Sequence, residues 1–103
     1  MENKSIIKKS EILDLLRSNI KVIKNFGVRR IGIFGSVVKG ETTTESDIDI
    51  LIEFEEGNEK YSNLLNLYFF LRDLLGRKID LVTSNGISPY IAPYILKEVE
   101  YLD

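Results

Sequence analysis

Across residues 10–26 the apolar positions Leu13, Leu16, Ile20 and Ile23 recur at three- and four-residue spacing among polar neighbours. That period predicts an amphipathic helix. Ser10 stands as its cap, Lys21 and Lys24 suit the negative end of its dipole, and Gly27 suits the left-handed stop. The period then shortens. Arg30-Ile31-Gly32-Ile33-Phe34 predicts a short strand, and residues 47–54 (Asp-Ile-Asp-Ile-Leu-Ile-Glu-Phe) predict a second, rich in β-branched side chains. Between them Glu41-Thr42-Thr43-Thr44-Glu45-Ser46 is a polar loop. Residues 59–75 predict a long helix closed by Gly76, and Lys78-Ile79-Asp80-Leu81-Val82 a third strand, followed by the turn-like Ser84-Asn85-Gly86. Ser88-Pro89 opens a last helical segment, with a break at Pro93 and a second helix to about Tyr101. The order helix, strand, strand, helix, strand, helix describes a small mixed α/β (α+β) fold. It predicts a sheet of about three strands flanked by helices, with residues 1–103 as a single domain.

Composition narrows the chemistry. The chain has 103 residues, 44% hydrophobic and 29% charged, which fits an ordinary globular protein rather than a disordered one. A chain of this length can bury about two-thirds of its unfolded surface. There is no cysteine and no histidine. Disulfides, thiolate catalysis, serine–histidine triads and nitrogen- or sulfur-ligated zinc are therefore excluded. Any metal must be held by oxygen, which points to Mg²⁺, Mn²⁺ or Ca²⁺. The net charge of −2, from 14 Lys+Arg against 16 Asp+Glu, argues against a broad grip on a nucleic-acid backbone. Lys8-Lys9 and Arg29-Arg30 form only short basic pairs, so no direct nucleic-acid binding is expected. No stretch has the length of a signal peptide core or a membrane span, so a cytoplasmic protein without a membrane partner is expected.

The informative constellation is Gly35-Ser36 at the end of the first strand, followed after a ten-residue gap by Asp47-Ile48-Asp49. Residues two apart on a strand project from the same face. Two carboxylates so placed start about 7 Å apart and repel by roughly 2 kcal/mol at an effective dielectric near 20. A divalent cation offsets that directly, and with one or two Mg²⁺ ions the pair would align a triphosphate for in-line attack. Gly35-Ser36 opens Val37-Val38-Lys39-Gly40, a candidate helical turn whose backbone amides and serine hydroxyl suit a phosphate. Lys39 is close enough in sequence to contact that phosphate or the polar loop. Asp80 would share the sheet face of Asp47 and Asp49 if the third strand lies beside the second. There it could complete the metal site and accept a proton from an attacking hydroxyl. Taken singly, Gly-Ser also reads as a turn, Asp-x-Asp as a solvated strand end and Asp80 as an exposed edge residue.

Together these residues resemble the signature of the DNA-polymerase-β-like nucleotidyltransferase superfamily. The chain is similar over nearly its full length to the smallest branch, the minimal nucleotidyltransferases (MNT antitoxins of HEPN/MNT toxin–antitoxin pairs). The segments 34–41, 46–52, 78–82 and Ser88-Pro89-Tyr90 with 93–99 carry the resemblance. It implies Asp47 and Asp49 as metal ligands, Asp80 as third carboxylate and base, and Gly35 and Ser36 as the triphosphate clamp. The family often has arginine where this chain has Lys39, and lysine lacks the two-pronged fork. The resemblance further implies an antitoxin that transfers AMP from ATP, with Mg²⁺, onto a tyrosine of a HEPN-domain RNase toxin. Three rival readings are an antitoxin acting by occlusion alone, a small-molecule transferase of the aminoglycoside type, and a nucleic-acid binder. Leu67-Tyr68-Phe69-Phe70-Leu71 occupies all sides of a helix, and it and Tyr90, Tyr94 and Tyr101 read either as partner surface or as packing.

Overall fold

A computed structural model describes residues 8–40 and 47–102. The elements follow in the order α1 (Lys9–Ser18), α2 (Ile20–Asn25), β1 (Val28–Phe34), α3 (Ser36–Lys39), β2 (Ile48–Phe54), α4 (Tyr61–Leu75), β3 (Ile79–Thr83), a 3₁₀ turn (Ser84–Gly86), α5 (Ala92–Glu98) and β4 (Glu100–Tyr101). The strands form one sheet in the order β3-β2-β1-β4. β1 is antiparallel to β2 and to β4, whereas β2 and β3 are parallel and are joined through α4. This is the expected mixed fold with one strand more than the three predicted.

One face of the sheet carries the core. Ile31 and Ile33 of β1 stand beside Ile52 and Ile50 of β2, and all four are fully buried. Ile12, Leu16 and Ile23 of the first two helices and Leu67, Leu71 and Leu75 of α4 close over them. The i, i+4, i+8 spacing of the α4 leucines lays that helix on the sheet along one stripe. Phe69, Tyr61 and Leu65 are left exposed, so the run 67–71 divides between core and surface. Residues at odd positions of β2 (Asp49, Leu51 and Glu53) project from the opposite face. On that second face Val99 approaches Gly32, and β4 extends the sheet as a short edge strand beside β1.

Four expectations are corrected. The first helix is two: Asn19 breaks it at φ −116°, its side-chain amide donating to the Leu15 carbonyl (2.9 Å) in competition with the backbone ladder. Ser10 lies inside α1 rather than at its cap; the start is closed by Glu11, which accepts the Lys8 backbone N–H at 3.3 Å. Ser88-Pro89 opens a turn rather than a helical segment, and the one helix here starts at Ala92, with Pro93 in the first turn of α5 where its missing N–H costs nothing. Finally, α5 stops at Glu98 and residues 100–101 pair with β1 at Ile33↔Glu100 and Gly32↔Tyr101. The expected loop 41–46 lies outside the described residues. Among the described residues no helix is long and apolar enough to cross a membrane.

Candidate functional site

β1 ends at Phe34, and the chain turns at Gly35 with φ 74° and ψ −143°, a backbone conformation open to glycine. One helical turn follows, with the Lys39 N–H donating to the Gly35 carbonyl (3.3 Å), and Gly40 ends it in the left-handed region at φ 73°. The predicted turn after Gly35-Ser36 is thus present, bounded by a glycine at each end.

Asp49 lies at the centre of the arrangement. Its register partner on one side is Phe34, the residue before the Gly35 turn, and on the other side Asp80 in β3. Parallel register partners project from the same face, so Asp49 and Asp80 stand side by side on adjacent strands. A Cβ on Gly35 would collide with the Asp49 carboxylate, so the absence of a side chain at Gly35 makes room for it. Asp47 precedes β2 and is exposed, two residues upstream on the same side. The structure therefore brings Gly35, Asp49 and Asp80 together, with Ser36 opening the adjoining helical turn and Asp47 at the rim.

This crowding has an electrostatic signature. Burial, and then the negative charges of Asp80, Asp47 and Glu98, push the Asp49 carboxyl up to about 6. Like charges on one face and partial desolvation act in the same direction, both disfavouring the ionised form. A hard cation suits such a place, since every donor is a carboxylate oxygen and the negative field is centred on Asp49. Among the described residues no group of three His, Cys, Asp or Glu side chains forms a ready-made metal cage. The fit is therefore to a negatively charged face rather than to a closed ligand set.

Two basic residues are accounted for. Lys39 sits with its ammonium 3.9 Å from the Glu98 carboxylate. Arg30 is engaged elsewhere, stacked over the Tyr101 ring at 3.5 Å from its centroid and 3.8 Å from Glu53. On the α4 side of the sheet, the face opposite the Asp49 and Asp80 side chains, a groove of about 350 Å³ lies between α4 and the edge strand β3, lined by Tyr61, Leu64, Leu65, Tyr68, Ile79 and Leu81.

Sequence reasoning missed Glu98. It reaches the site because β4 pairs along the edge of β1 at Gly32 and Ile33. A Cβ on Gly32 would lie 2.8 Å from a Val99 methyl and 2.9 Å from the Glu100 carbonyl oxygen. A glycine in mid-strand signals the close approach of another piece of backbone. Gly32 was that signal, and it pointed to the C-terminal segment.

The chain is similar to known proteins over most of its length. The family model described as "Nucleotidyltransferase domain" matches residues 9–102. The protein adenylyltransferase MntA of Thermococcus cleftensis is 41% identical over 93 residues, covering 89% of this chain and 93% of its own. A solved structure of a candidate minimal nucleotidyltransferase superposes with a TM-score of 0.81 at 29% identity, covering 91% of this chain and 95% of that one. A toxin–antitoxin structure solved with AMP-PNP gives a TM-score of 0.67 at 25% identity, covering 94% of this chain and 73% of that one.

Proposed function

The chain belongs to the nucleotidyltransferase domain family and is a nucleotidyltransferase, and from that premise we propose that it is an antitoxin that transfers AMP from ATP onto a tyrosine of a cognate HEPN RNase toxin. The observation that carries the reading is the register of Asp49 between Asp80 and the Gly35 turn. One end of the sheet then offers a phosphate-sized cradle and a row of carboxylates, the two halves of a phosphoryl-transfer site.

In this reading Gly35 and Ser36 hold the triphosphate through backbone amides and the serine hydroxyl. Lys39 neutralises part of its charge. Asp47, Asp49 and Asp80 would hold Mg²⁺, which supplies charge neutralisation of the phosphates when bound. Asp80 accepts the proton of the acceptor tyrosine hydroxyl, whose oxygen attacks the α-phosphorus. A new O–P bond forms, the bond from the α-phosphorus to the bridging oxygen breaks, and pyrophosphate leaves. A protein acceptor suits the exposed apolar residues Leu65 and Phe69 of α4 and Tyr90 and Tyr94 near and in α5.

The Thermococcus relative supports the protein acceptor by its name, and the toxin–antitoxin structure supports both the partner class and the adenine nucleotide. The test is to mix the purified chain with the protein encoded beside it, ATP and Mg²⁺, and measure the partner's intact mass. The expected result is a gain of one or more AMP units, lost in Asp47→Asn/Asp49→Asn. A stable complex of unchanged mass would instead mean silencing by occlusion. Neither binding nor modification would point to a small-molecule acceptor.

A further inference from the structure

Glu98 belongs to no part of that scheme, yet it stands inside the site. It is the last residue of α5, a helix with no buried residue of its own. What holds it in place is the segment after it. Val99 packs on Gly32, and Glu100 and Tyr101 pair with β1. From there its carboxylate pairs with the Lys39 ammonium at 3.9 Å. It also lies close enough to Asp49 to act on that carboxylate electrostatically.

We propose that Glu98 is a positioning residue for the nucleotide, holding the Lys39 ammonium beside the Gly35-Ser36 turn in competition with the triphosphate. The inference rests on reading Gly35, Ser36 and Lys39 as triphosphate contacts. Binding a triphosphate then exchanges one partner of Lys39 for another. The exchange leaves Glu98 uncompensated beside Asp49, which adds a negative charge to the face that the cation must balance. Glu98 accordingly weakens the hold on ATP alone and makes binding depend more steeply on the divalent ion. A purely structural role in fixing the end of α5 would alter stability but not that dependence.

The experiment is calorimetric titration of ATP into the full chain, in EDTA and in Mg²⁺, for the wild type, Glu98→Gln, Glu98→Asp, Lys39→Gln and the Lys39→Gln/Glu98→Gln double variant. A half-exposed pair of this length is a weak one, so Glu98→Gln should tighten ATP binding in EDTA by about three- to fivefold. Its gain should be smaller in Mg²⁺ and smaller again in the Lys39→Gln background, because the two residues share one interaction. Glu98→Asp, which keeps the charge, should stay near the wild type. Unchanged or weaker binding by Glu98→Gln, or an equal gain without Lys39, overturns the proposal. Absence of saturable ATP binding by the wild type in Mg²⁺ would overturn the nucleotide-site reading itself, and this inference with it. A second readout needs no variant. The Lys39 side-chain ammonium signal in a heteronuclear NMR spectrum should shift when ATP is added in EDTA, and a stationary signal under saturation would refute the exchange.

Discussion

The Asp49 carboxylate occupies the space that a side chain on Gly35 would fill. The phosphate-cradle turn and the carboxylate row are thus in contact through a missing methyl group. Gly35→Ala must both leave a glycine-type backbone conformation and displace Asp49. We expect a loss of about 1–3 kcal/mol in stability, measured by urea unfolding, together with loss of nucleotide transfer. A variant of wild-type stability and activity would show that the turn relaxes without cost.

Asp49 itself should make the metal-free chain more stable in acid. Its folded-state value of about 6 lies above the ordinary 3.8, so between those values the folded chain holds a proton that the unfolded chain releases. That contribution is complete below about pH 4 and is lost as the pH rises through 6. Asp49→Asn removes the penalty. After discounting for solvent screening we expect the variant to be more stable by about 1 kcal/mol at pH 7 in EDTA, and equal to the wild type near pH 4. Thermal melts across that range check it, with a rise of about 4–8 °C expected at neutral pH. Divalent cations should then stabilise the wild type more than the variant.

Asp80→Asn separates chemistry from binding. If Asp80 is the base, as proposed, its replacement should lower the transfer rate constant by about 10²- to 10⁴-fold. ATP affinity measured calorimetrically in EDTA, where a role of Asp80 in holding Mg²⁺ does not contribute, should change only severalfold. Equal losses in both would place Asp80 in nucleotide binding rather than in proton transfer.

Gly32→Ala tests the close approach of the C-terminal segment to β1. The added methyl meets Val99 and the Glu100 carbonyl, neither of which is the tip of a flexible chain. We expect a cost of about 1–3 kcal/mol from overpacking. Displacement of the segment that carries Glu98 should also give the same tighter ATP binding in EDTA as Glu98→Gln. A destabilised variant with unchanged ATP affinity would separate the two effects.

The parts of the site legible in the sequence are those fixed by local period and local backbone need. Alternation in 48–54 places Asp49 opposite the core isoleucines. Gly35 and Gly40 frame a turn that the peptide alone prefers. Asp80 was legible on the condition that β3 lies beside β2, and the parallel register meets that condition. What was not legible depended on distant partners. The break at Asn19 turns on a side chain competing with its own helix, and Pro93 reads equally as a breaker or as a first-turn residue until the helix start is known. β4 is two residues long, too short for any periodicity, and exists because Gly32 lets it approach. Glu98 follows from β4 and so was hidden with it.

The parallel pairing of β2 and β3 has a further meaning. Asp49 and Asp80 are separated by thirty residues of chain that include the whole of α4, yet their spacing is set by neighbouring rungs of one backbone ladder. No side chain on the outward surface of α4 is needed to keep them apart by that amount. The geometry of the chemistry is therefore insulated from the surface that meets the outside world. Substitutions at Tyr61, Leu65 or Phe69 leave the two carboxylates in register. The spacing of the carboxylates and the chemistry of the α4 surface can thus vary independently.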